Sequence, residues 1–203
     1  MKHIILIGGM PTAGKSTVAA ALAKRLNLPW FSTDQIRTIM EATTDSSDYP
    51  LLFNAENHTA QSFLSHYSAS EIADMEYGQA DEVWPVIRYF INKDWVWSRG
   101  FVLEGVNITP KHVHADFADD KRVQSVFLSD VHEANIRKVV HERGLFGPPQ
   151  ETPDHLKKIE VEWPRLFDEK LRADAKEVNL PVVDVTKTDE DVPTILRLIG
   201  LGE

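Results

Sequence analysis

Eight residues near the N-terminus carry the most specific chemistry in this chain. Gly9-Met-Pro-Thr-Ala-Gly14-Lys15-Ser16 matches the pattern G-x-x-x-x-G-K-[ST], and Thr17 follows it. Each part suits a phosphate anion. Gly9 and Gly14 let backbone N–H groups turn inward with no Cβ in the way, and Thr12 and Ala13 lie in the loop between them. A helix starting near Lys15 aims its positive dipole end at the same point. Lys15 adds a mobile charge for β- and γ-phosphates, and the Ser16 hydroxyl is a hard-oxygen ligand suited to Mg²⁺. Gly9, Thr12, Ala13, Gly14, Lys15, Ser16 and Thr17 are thus candidates to hold a nucleoside triphosphate, with ATP the default. The bland alternative is a glycine-rich turn that only joins two elements. The motif's own test is its context, a buried strand before and a helix after.

That context is present. His3 to Ile7 is a continuous run of β-branched residues and leucine, the pattern of a strand buried on both faces. Val18, Ala21, Leu22 and Leu26 then recur at helical spacing. Further short apolar runs read as strands at "LPWFSTD" (28–34), "FVLEGV" (101–106), "RVQSVFLS" (122–129) and "LPVVDV" (180–185). Helical patterns lie between them: "QIRTIMEA", much of 55–98 with a break near 65–70, "DVHEANIRKVVHERG", 154–177 and "DEDVPTILRLIG". Polar 43–48 and the Gly/Pro-rich "LFGPPQETP" read as loops. The alternation predicts an α/β sandwich on a parallel sheet, with a helical insertion after the second strand. It also predicts one domain over residues 1–203, without repeats or linkers.

Bulk composition narrows the partners. The 203-residue chain carries a formal net charge of −9, with 42% hydrophobic and 26% charged residues. An acidic balance without a Lys/Arg-rich run argues against a dedicated nucleic-acid partner. Cysteine is absent, which excludes disulfides, thiolate metal sites and cysteine nucleophiles. No run approaches the roughly 18 apolar residues of a membrane span, and the N-terminal apolar run is too short for a secretion signal. The expectation is a cytoplasmic protein, monomeric or homodimeric, with no membrane partner.

Four stretches, "GGMPTAGKST", "STDQIR", "LEGVNITP" and "NIRKVVHERG", resemble in order the small-molecule kinases of the P-loop class, in particular the 2-phosphoglycerate kinase-like and zeta-toxin-like group. The resemblance implies a three-layer P-loop fold with a five-stranded parallel sheet in the order 2-3-1-4-5. The implied activity is an ATP- and Mg²⁺-dependent transfer of the γ-phosphoryl group to a hydroxyl of a small metabolite, such as a 2-phosphoglycerate-like acid, a sugar or a related alcohol. It implies that Asp34 accepts the acceptor's proton, although an Asp there also suits a helix N-cap. Arg37, one turn on, would pair with a phosphate or carboxylate of the acceptor. Glu104 would sit beside the phosphate loop and hold a Mg²⁺-bound water, and would also meet the acceptor, unless it is simply a strand-end residue that reaches solvent. Asn107 and Thr109 would line the acceptor pocket. Arg143 would close over the transferred group from a lid at about 137–152, with Arg137 and Lys138 as weaker candidates because Glu133 stands four residues before Arg137. Thr186 and Lys187 would touch the adenine or merely form a turn. The insertion at about 43–98 would supply substrate or lid contacts. Rivals are a nucleoside, nucleotide or 5′-hydroxyl polynucleotide kinase, and a nucleotide-switch ATPase that needs no acceptor base.

Three other features carry no such chemistry. His112 and His114 sit at i, i+2, too far round a helix to share a metal. Trp84, Tyr89, Phe90, Trp95 and Trp97 read as packing for the insertion. Glu71, Asp74, Glu76, Asp81 and Glu82 read as an acidic pattern.

Overall fold

The computed structural model describes residues 2–93, 98–185 and 188–202. Its elements run β1 (His3–Gly9), α1 (Lys15–Leu26), β2 (Trp30–Ser32), α2 (Thr33–Glu41), α3 (Ala60–His66), α4 (Ala69–Asn92), β3 (Gly100–Glu104), α5 (Pro110–Phe117), β4 (Val123–Ser129), α6 (Glu133–Glu142), α7 (Asp154–Glu177), β5 (Val182–Asp184) and α8 (Thr188–Leu198). The five strands are all parallel, in the order β2-β3-β1-β4-β5. This is the expected P-loop kinase topology.

The central strand explains the sheet. Ile4, Ile5, Leu6 and Ile7 are all fully buried, so both faces of β1 must be covered by helices. On one side α1 packs with α8. On the other, α7 packs against α3, α4, α5 and α6. The insertion is real but irregular at its start. Residues 43–59 hold turns, and the helix α3 gives way to α4 at Tyr67 and Ser68, where Ser68 caps α4 through a reciprocal box with Glu71. α5, built on "PKHVHADF", was absent from the expected elements. Its Pro110 occupies the first helical turn, where a missing N–H does no harm.

The aromatic cluster splits. Phe90 packs edge-on against Phe31 and Phe101, and Trp84 is buried beside His112. Tyr89 does not pack. It is 65% exposed on the outer face of α4. Trp95 and Trp97 lie outside the described residues. His112 stacks on Trp84 and approaches Asp81 at 3.1 Å, so it is part of this packing. Among the described residues no helix is long and apolar enough to cross a membrane.

Parallel strands end together, so the C-terminal edge of the sheet gathers the loop after β1, the start of α2 and the ends of β3 and β4. A four-residue network braces that edge. Arg172 donates to Asp168, Ser129 and Asp184, and Ser129 donates to Asp168 at 2.7 Å, tying β4, β5 and α7. At the mouth of the first loop Gly9 has φ 140°, and a Cβ there would stand 2.2 Å from the Leu128 carbonyl oxygen. Gly9→Ala is therefore expected to destabilise the fold by about 1–3 kcal/mol, the range for backbone strain at such a position. Urea unfolding of the purified variant measures this.

Candidate active site

The loop after β1 presents polar groups that suit an anion. Thr12 (φ 74°) and Gly14 (φ 69°) both adopt left-handed backbone, which folds successive amides inward into a nest. Gly14 is the N-cap of α1, yet no side chain caps the helix, and its first turn holds no acidic residue. The first amides of a helix have no intrahelical partner. Here Gly14, Lys15, Ser16 and Thr17 line an open cavity, and Glu104 reaches it through Ser16. The Thr12 hydroxyl is buried without a partner in the same loop.

Lys15 shows the same demand. The residue is 8% exposed, and its ammonium donates to the Met10 carbonyl oxygen at 2.8 Å, folding back over the loop. Burial pushes it from its ordinary 10.5 down to about 8, while Glu104 and Asp34 oppose the shift and Arg143 adds to it. An anion arriving at the loop supplies the countercharge this lysine lacks.

Glu104 ends β3 in register with Ile7 on one side and Ser32 on the other, which sets it between the loop and α2. It is 3% exposed, so it does not reach solvent. Burial raises its carboxyl above the usual range; Lys15, Ser32 and Ser16 oppose the rise. Ser16 Oγ donates to Glu104 Oε1 at 3.1 Å. Two adjacent hard oxygens, one on a desolvated carboxylate, fit a divalent cation that brings its remaining oxygens from water and phosphate. Such a cation would neutralise phosphate charge.

Asp34 lies in the first turn of α2, neither in the strand nor at the helix N-cap. Ser32 is the N-cap, accepting from the Asp34 amide at 3.2 Å, and Gln35 returns the bond to the Ser32 amide. Because Ser32 caps the helix, the Asp34 side chain is left free, 74% exposed, and it lines the cavity. Arg37 lines the same wall. Its nearest carboxylates, Asp34 at 3.7 Å and Glu41 at 4.0 Å, are too distant for hydrogen bonds, and its Nε has no partner.

The cavity measures about 450 Å³. It joins the loop, Asp34, Arg37 and Glu104 to Asn54 and Glu76 of the insertion and to Val139, Arg143, Leu145 and Phe146 of the segment after β4. Arg143 caps the C-terminus of α6 at the cavity's edge. The loop beyond it is held by Glu160 of α7, a fully buried carboxylate that accepts from the amides of Leu145 and Phe146.

Four expected site residues are not brought in, among them Lys138, exposed on α6 and absent from the cavity lining. Arg137 is bound to Glu133 at 2.6 Å on a separate outer surface shared with Arg165. Its i, i+4 pairing with Glu133 turns it from the cavity. Asn107 is fully buried, accepts from Thr33 at 3.2 Å and donates to Gln79 at 3.1 Å, so it is a bridge behind the pocket. Thr109 is buried too and bonds to His112 instead. Thr186 and Lys187 lie outside the described residues. Glu76 was missed. It falls in the stripe Ile72, Ala73, Glu76, Gln79, Ala80, Val83 that α4 buries, and a carboxylate in an apolar stripe was the available signal.

No family model matches the chain. Curated proteins do. A 2-phosphoglycerate kinase of Methanocaldococcus jannaschii is 24% identical over 197 residues, covering 97% of this chain and 62% of that protein. A 2-phosphoglycerate kinase of Methanococcus vannielii is 27% identical over 208 residues, covering 98% and 65%. The chain is similar to 2-phosphoglycerate kinases. It spans about three-fifths of their length. Among solved structures, a gluconokinase from Sinorhizobium meliloti matches at TM-score 0.54 and 16% identity, over 98% of this chain and 91% of that one. A protein from Eubacterium ventriosum matches at 0.51 and 15%, over 98% and 99%. These two share the fold.

Two outcomes follow. Asn107→Ala strands the Thr33 hydroxyl and the Gln79 amide in the core, and is expected to lower stability by about 1–3 kcal/mol while leaving nucleotide affinity unchanged. Chemical unfolding and calorimetric titration separate the two effects. The second concerns Lys15. The unfolded chain holds this proton up to about pH 10.5 and the folded one only to about 8, so the ligand-free protein gains stability as pH climbs through that window. A triphosphate favours the charged lysine, so binding takes up a proton there. The Kd of a non-hydrolysable ATP analogue is expected to weaken above pH 8, by up to about tenfold per pH unit. A flat profile would contradict a charged Lys15 on the phosphate.

Proposed function

We propose that this chain is an ATP- and Mg²⁺-dependent phosphotransferase that moves the γ-phosphoryl group to a hydroxyl of a small metabolite. The single observation that carries it is the shared cavity, with uncapped α1 amides and desolvated Lys15 on one wall and the uncommitted Asp34 carboxylate on another. A nucleotide switch has no use for the second wall. The similarity to 2-phosphoglycerate kinases over nearly the whole chain supports the same assignment.

In this scheme the loop amides and Lys15 hold the β- and γ-phosphates, and Ser16 with Glu104 holds the cation. Asp34 positions the acceptor hydroxyl and takes its proton as the oxygen attacks. A bond forms between acceptor oxygen and γ-phosphorus, the bond from γ-phosphorus to the β–γ bridging oxygen breaks, and ADP leaves with that electron pair. Arg143 offsets charge on the transferred group, and the segment at about 137–152 closes as a lid. Such chemistry asks the protein for positioning and charge neutralisation rather than covalent participation. The insertion at 43–98 forms the acceptor side, and residues 1–203 work as one domain.

Asp34→Asn tests this. It keeps size and hydrogen bonding but removes the base. Turnover with a competent acceptor is expected to fall about 10²–10⁴-fold, with affinity for the ATP analogue unchanged. Coupled ADP release and calorimetry measure the pair. Full activity in the variant would remove the phosphotransferase scheme and favour simple hydrolysis.

A further inference from the structure

The acceptor side of the cavity is acidic, and this limits what it can take. Among the described residues lining the cavity, the cations are Lys15, Arg37 and Arg143. Lys15 belongs to the phosphate loop, and Arg143 is near enough for its charge to be felt there. Arg37 alone remains to meet an anion on the acceptor. Beside it stand Asp34 and Glu76. An adjoining hollow of about 380 Å³ shares Arg37, Asn54 and Ala55 and adds Glu41 and Glu56, with no further Lys or Arg among its lining residues.

Glu76 is the unusual member. It is 8% exposed, on the buried stripe of α4, and accepts a hydrogen bond from Asn54 Nδ2 on Oε1 at 3.1 Å. Burial raises its carboxyl, Asp34 adds to the rise, and Arg37 and Asn54 oppose it. A buried carboxyl wants hydrogen-bond partners, and a substrate hydroxyl is one. A phosphate ester is not. It carries about −1.5 to −2 charges with acceptor oxygens only, and would meet two carboxylates with a single arginine to offset them.

Resting on the kinase assignment above, we infer that the acceptor is a hydroxy acid with one carboxylate and at least two hydroxyls, and that Glu76 selects it over phosphorylated acids. Arg37 takes the carboxylate through its guanidinium fork. Glu76, steadied by Asn54, takes a hydroxyl other than the one that reacts, and Asp34 takes the proton of the one that does. The substrate class thus departs from the acceptor in the relatives' names, through charges that the insertion contributes.

The test is steady-state kinetics of the full chain with Mg²⁺-ATP and four acceptors: glycerate, a six-carbon aldonic acid, 2-phosphoglycerate and a neutral polyol. A hydroxy acid is expected to exceed both 2-phosphoglycerate and the polyol by at least about tenfold in kcat/KM, the scale set by one unpaired polar or charged contact. Glu76→Gln keeps the shape of the side chain and removes its charge. It is expected to raise the KM for the hydroxy acid by about tenfold, hold kcat within about threefold, and improve 2-phosphoglycerate. Arg37→Gln, on the cavity wall rather than in the core, is expected to raise KM for the hydroxy acids but not for the polyol. Equilibrium binding of the same acceptors to protein loaded with the ATP analogue reads the selectivity without turnover. If 2-phosphoglycerate or the polyol proves the best acceptor, or Glu76→Gln leaves the KM ratios unmoved, the inference is overturned and the kinase assignment stands. If the analogue binds but no acceptor binds or reacts, both fall together.

Discussion

A lysine ammonium held out of water, beside helix amides that no side chain caps, governs the C-terminal edge of this sheet. Burial draws the Lys15 ammonium down to about 8, and Glu104 and Asp34 oppose the shift. The balance leaves a preformed positive hollow, because the amides at the start of α1 point into it and have no intrahelical partner. A triphosphate completes both deficits at once. In the proposed scheme Lys15 gives up its contact to the Met10 carbonyl, and the Ser16–Glu104 bond opens for the cation.

The remainder of the fold keeps this hollow in place and out of bulk water. β1 must be buried on both faces to deliver the loop at the sheet edge, and its four apolar residues enforce that. β3 pairs beside it and sets Glu104 against Ser16. β2 pairs beside β3, and its last residue, Ser32, caps α2 so that Asp34 is turned outward with no capping duty. One strand register thus places the metal-ligand candidates and the base candidate relative to the loop. On the opposite wall Glu160 fixes the backbone after Arg143, so the segment that would close over the site hinges on a buried carboxylate bonded to main-chain amides.

Charge divides the cavity. Its phosphate side has two cations and the helix dipole, and its acceptor side has one cation among several carboxylates. In the proposed scheme such asymmetry would keep a triphosphate off the acceptor side, where Glu76 and Asp34 would repel it. It also ties the insertion to function: α4 packs on α7 and carries Glu76 into the wall as part of its buried stripe.

Much of this was legible in the amino-acid order, where the information is contiguous. The nucleotide loop depends on eight consecutive residues whose backbone freedom and charge are intrinsic, so the sequence alone determined it. The same is true of the buried β1 run, of α7 and of the parallel α/β plan, because apolar period reports burial locally. Tertiary structure alone decided the rest. Ser16 and Glu104 are 88 residues apart and meet only through strand pairing. The pairing of Arg137 with Glu133 was legible in their i, i+4 spacing, but that Arg143, at the C-cap of α6, meets the cavity was decided by the fold. Asn107 reads as a pocket residue after a strand, yet packing closes over it. Glu76 reads as one acid in an acidic pattern, yet α4 turns it inward. Which way a polar side chain faces is set by what packs against its element, and that partner is distant in sequence.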